Sequence, residues 1–72
     1  MNELLLNKSI YPREKITVAI RAFDGLCEVA LRERDGYFVC VFQSCKYGLD
    51  ETKAEFENFL IDLTNTDSIN DT

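Results

Sequence analysis

Two residues, Asp35 and Gly36, do more than any others to restrict what this 72-residue chain can fold into. They sit between two strand-forming runs, CEVALRER over 27–34 and YFVCVFQS over 37–44. A two-residue connection of type I′ needs positive φ at both positions, which Asp-Gly tolerates, so the runs form a hairpin. The turn length then sets the register: 34 faces 37, 31 faces 40, 29 faces 42 and 27 faces 44. Side chains alternate across a strand. One face of the hairpin carries Cys27, Val29, Leu31, Phe38, Cys40 and Phe42, and reads as core. The other carries Ala30, Tyr37, Val39 and Val41 among charges.

Helical spacing flanks the hairpin on both sides. From Pro12 the apolar set is Ile16, Ala19, Ile20 and Phe23, one stripe at i, i+3, i+4, i+7. Proline suits a first turn because its missing N–H would be unpaired there anyway. Ser9 is a nearby cap, and Gly25 is the expected left-handed stop. The second helix follows the Gly48 turn, with Asp50 as its N-cap. It buries Phe56, Phe59, Leu60 and Leu63. Residues 3–10, ELLLNKSI, read as a short first strand.

The order is β-α-β-β-α, an α+β fold in which two helices pack on one face of a three-stranded sheet. Residues 37–42 are apolar without a break, as a central strand would be, so the favoured strand order is 1-3-2. One domain over 1–64 is expected, with a polar, disordered tail over 65–72 (NTDSINDT).

Several functions are disfavoured by what the chain contains. It has no histidine, so Ser-His-Asp and Cys-His catalysis and mixed His/Cys zinc sites are excluded. Three cysteines cannot supply a four-thiolate zinc site. The acidic residues of the second helix, Glu51, Glu55, Glu57 and Asp62, read as a solvated face. A net charge of −5 with scattered Lys and Arg argues against nucleic acid. No apolar run reaches membrane-spanning length, and no targeting segment is visible. No cofactor is expected. The odd cysteine count, Cys27, Cys40 and Cys45, suggests free thiols and the cytoplasm, with a Cys27–Cys45 bridge left open.

Four segments together resemble a known family: I10-Y-P-R-E-K-I16, A19-I20-R-A-F23, V29-A-L-R-E-R-D-G36 and E55-F-E-N-F-L-I-D-L63. They are similar to the small D component of the His-Xaa-Ser peptide-maturation system, the HxsD-like proteins. Phe56, Asn58, Leu60 and Asp62 take corresponding places in the last segment. The resemblance covers roughly residues 8–64 and transfers no catalytic residue. It implies a non-catalytic accessory protein that partners a radical-SAM enzyme in modifying a ribosomally made peptide. The alternative is a stand-alone structural or regulatory binding domain, antitoxin-like or phage-encoded. An enzyme confined to thiol chemistry at Cys45 stands third.

Either of the first two readings needs a contact surface, and Ala30, Tyr37, Val39 and Val41 are the candidate partner or dimer face. A 72-residue core is marginal by itself. A two-fold homodimer through that face or through an exposed sheet edge is therefore also expected.

Overall fold

The computed structural model describes residues 2–65 in full and the backbone of the last helix to Asn70. The tail expected over 65–72 falls, beyond Asn65, outside the fully described residues. The elements are β1 (Glu3–Asn7), α1 (Arg13–Ala22), β2 (Glu28–Arg34), β3 (Tyr37–Gln43) and α2 (Leu49–Asn70). The sheet order is β1-β3-β2, with β3 antiparallel to both neighbours. This is the expected α+β fold with the expected strand order.

The hairpin forms as its turn dictates. Asp35 has φ of 29° and Gly36 φ of 81°. Arg34 pairs with Tyr37, Leu31 with Cys40 and Val29 with Phe42. On the other side of β3, Leu4 pairs with Cys40 and Leu6 with Phe38. The inner face is built from Leu4, Leu6, Val29, Leu31, Phe38, Cys40 and Phe42 and is covered by both helices. Its core comprises Leu6, Ile16, Ala19, Phe23, Cys27, Phe38, Cys40, Phe42, Phe56 and Leu60.

Aromatic rings join the layers. Phe56 of α2 meets Phe42 of β3 edge to face at 5.2 Å and Phe23, just past α1, at 5.3 Å. Phe23 also meets Phe59 at 5.8 Å. Such pairs add about 0.5–1.5 kcal/mol each beyond the area they bury.

Element ends depart from expectation in four places. The first strand stops at Asn7, because Asn7 O accepts N–H bonds from both Ile10 and Tyr11 and turns the chain. Pro12 holds the N-cap position with extended backbone, and no side chain caps α1. Ser9 instead donates to Asn7 Oδ1 through both its N–H and its hydroxyl. Gly25 is not left-handed. Phe23 O takes over the stop by accepting the N–H groups of Leu26 and Cys27, each at 2.9 Å. Finally, α2 begins at Leu49, one residue before the expected cap. Gly48 O accepts the Thr52 N–H, which leaves Asp50 inside the first turn, where its charge still suits the helix dipole.

Phe56 is fully buried at the meeting point of sheet and helices. Truncating a buried Phe to Ala costs about 3–5 kcal/mol. At roughly 0.05–0.15 kcal/mol per residue the whole domain is worth about 4–11 kcal/mol. Phe56→Ala is therefore expected to remove much or all of the cooperative urea transition followed by circular dichroism, whereas Tyr47→Ala, at an exposed position, is expected to leave it in place.

Candidate interaction surface

The outer face of the sheet is the side opposite both helices. The register brings together Leu5, Val39 and Arg32 in one row, and Glu3, Val41 and Ala30 in the next. Tyr37 lies between Asn7 and Arg34 in a third. All four sequence-derived candidates, Ala30, Tyr37, Val39 and Val41, share this face. Their exposures differ. Tyr37 is 40% exposed, Ala30 and Val41 are half-buried, and Val39 is only 1% exposed.

Val39 is buried without belonging to the core cluster. Its cover comes from its own face: the flanking Leu5 and Arg32, and the diagonal pair Glu3–Arg34, whose charges approach to 3.8 Å across the row that holds Val39. What a partner would touch is therefore a ring around Val39. That ring includes Leu5, 48% exposed, which sequence reasoning missed. The run Leu4-Leu5-Leu6 hid it, since an unbroken apolar run does not announce which member faces outward.

Charge on the inner face is organised differently. Glu33 accepts from Lys8 at 2.8 Å and from Arg13, and both cations lie over the Phe38 ring, at 5.3 and 5.8 Å. The hydrogen bonds from Lys8 and Arg13 hold the Glu33 carboxyl below its ordinary value. This cluster ties the end of β1, the start of α1 and β2 together.

The cysteines depart from the free-thiol expectation. Cys27 and Cys45 form a disulfide with Cα atoms 4.1 Å apart. Lys46 N–H donates to Leu26 O, which draws the segment after β3 back beside the start of β2. Ser44 helps, with φ of 54°. Sequence spacing could not show this closure, because Cys45 lies beyond the paired residues. In the disulfide Cys45 carries no free thiol. The premise that three free thiols mark the cytoplasm is also removed. Cys40 is free and buried, and burial pushes its thiol up to about 11.

Of the other candidates, Glu51 and Glu55 are exposed and line a shallow hollow with Phe23, Leu26, Tyr47 and Thr52. The buried Thr52 hydroxyl is satisfied by Gly48 O at 2.9 Å. Among the described residues no group of His, Cys, Asp and Glu could hold a metal ion, and no helix is long and apolar enough to cross a membrane.

Three measurements follow from the cysteines. Closing a loop of this sequence separation, 18 residues, is worth about 3 kcal/mol in the loop-entropy account. Reduction is expected to lower the melting midpoint by roughly 12–24 °C, at about 4–8 °C per kcal/mol. Labelling of the oxidised, unfolded chain should find one free thiol. Cys40 supplies a pH signature. Its folded thiol ionises later than an unfolded one, so stability is full below pH 9.0 and falls as pH rises from there through about 11. The difference in slope between wild type and Cys40→Ala in alkaline denaturation checks this.

No protein-family profile, no curated protein and no solved structure matches the chain.

Proposed function

We propose that the protein is a non-catalytic, partner-binding accessory domain whose contact surface is the outer sheet face around Val39. The observation that carries this reading is the combination of an open apolar ring and charged neighbours on one rigid sheet. Leu5 and Tyr37 are exposed there, with Ala30 and Val41 half-buried between Glu3, Arg32 and Arg34. A face of three strands measures on the order of 23 Å by 14 Å. That is well short of the roughly 800 Å² a side of a standard complex, so the contact suits a transient or auxiliary partner.

The partner we favour is a radical-SAM enzyme that modifies a ribosomally made peptide. Support comes from the four HxsD-like segments, which in this fold occupy the entry and body of α1, the β2 hairpin and α2.

The test is direct binding to a purified radical-SAM peptide-modifying enzyme of the His-Xaa-Ser system, measured by calorimetry. Leu5→Lys combined with Tyr37→Glu is expected to weaken binding at least tenfold. The thermal midpoint should stay close to wild type, because both sites are exposed. Absence of binding by the wild-type domain, or undiminished binding by the double variant, counts against the proposal.

A further inference from the structure

The long free edge of the sheet is β2, and its backbone can be read from the pairing. Phe42 N–H donates to Asn2 O, so the even residues of β3 bond toward β1 and the odd ones toward β2. In β2, Glu28, Ala30, Arg32 and Arg34 are opposite those odd residues. Val29, Leu31 and Glu33 therefore direct their N–H and C=O groups away from the sheet. The β1 edge offers less, because Asn7 O is already engaged by Ile10 and Tyr11.

We propose that this edge pairs with the β2 edge of a second copy of the chain, antiparallel, about a two-fold axis at Leu31. The sequence E28-V-A-L-R-E-R34 selects the occupant by charge. Centred on Leu31, the pairing puts Glu28 opposite Arg34 of the other copy, twice, and Ala30 opposite Arg32. Leu31 meets itself. Val29 meets Glu33, whose charge is already answered by Lys8 and Arg13. No like charges face each other. The outward groups also match: Leu31 exchanges two backbone bonds with its copy, and each Val29–Glu33 pair exchanges two more.

Neighbouring registers are worse. A pairing that keeps both outer faces on one side must shift by two residues at a time. Centring on Arg32 opposes two arginines. Centring on Ala30 keeps two Glu28–Arg32 pairs but gives up the central Leu31 pair with its two backbone bonds and leaves Arg34 beyond the strand, opposite Leu26. Charged edge residues commonly deter foreign strands. Here the same charges deter a generic strand and complement their own antiparallel copy. The one competing contact, Glu3–Arg34, is long and exposed, so Arg34 can leave it. The product is a six-stranded sheet with all helices on one side. Its outer face is twice the width, which relieves the small area available to a single copy. The inference goes beyond the partner-binding reading and does not depend on it.

The experiment uses the purified chain alone, in sedimentation equilibrium from micromolar to millimolar. The wild type is expected to approach twice 8.3 kDa. Arg34→Glu places a glutamate opposite each Glu28, making two like-charge pairs in the dimer, and should weaken it at least tenfold, as should Glu28→Arg. Mixing these two variants should restore a heterodimer, because every facing pair is then of opposite sign. Slowed amide exchange at Val29, Leu31 and Glu33 in the dimer, with circular dichroism unchanged, completes the expected result. A wild type that stays monomeric overturns the inference. So does a dimer that survives both charge variants, or two folded variants that fail to associate on mixing; disruption only by Leu5→Lys with Tyr37→Glu would move the contact to the outer face.

Discussion

The structure depends first on the contact of Phe56 with Phe42 and Phe23. These three rings link the central strand, the end of α1 and the middle of α2 at 5.2 and 5.3 Å. A domain this small buries a modest share of its surface, so few side chains can tie its layers together. The rings meet edge to face, which gives them direction as well as area. Because Phe42 occupies that contact from one face of β3, Val39 and Val41 must point to the other. The open outer face is thus a consequence of the aromatic core.

The second constraint is closure of the sheet's far end. The Lys46–Leu26 backbone bond and the Cys27–Cys45 bridge hold the exit of β3 against the entry to β2. At the opposite end, Glu33 gathers Lys8 and Arg13 over Phe38. These exposed charges give organisation more than stability, since surface pairs are worth little in water. Between the two closures, β2 is left with a straight run of outward backbone groups.

Legibility of the site varied with how local the signal was. Ala30, Tyr37 and Val41 were readable as outer-face residues because the Asp35–Gly36 turn sets their parity. Their shared face does not reveal exposure, and Val39 is buried there under Leu5, Arg32 and the Glu3–Arg34 diagonal. That cover requires β1 to lie beside β3, a pairing between residues thirty or more positions apart. Leu5 was hidden for the same reason. Gly25 and Asp50 were read from preferences for helix ends, and the real ends were set by carbonyls of Phe23 and Gly48.

The sequence by itself determined the elements, the hairpin register, the central place of β3 and the lack of any histidine-based chemistry. Each rests on spacing within a few residues of the chain, or on composition. Tertiary structure alone decided that Cys27 meets Cys45, that Val39 is sealed while Leu5 is open, and that β2 keeps the longer free edge. Those outcomes depend on which distant segments pack side by side, and close packing fixes that choice only when the whole core assembles.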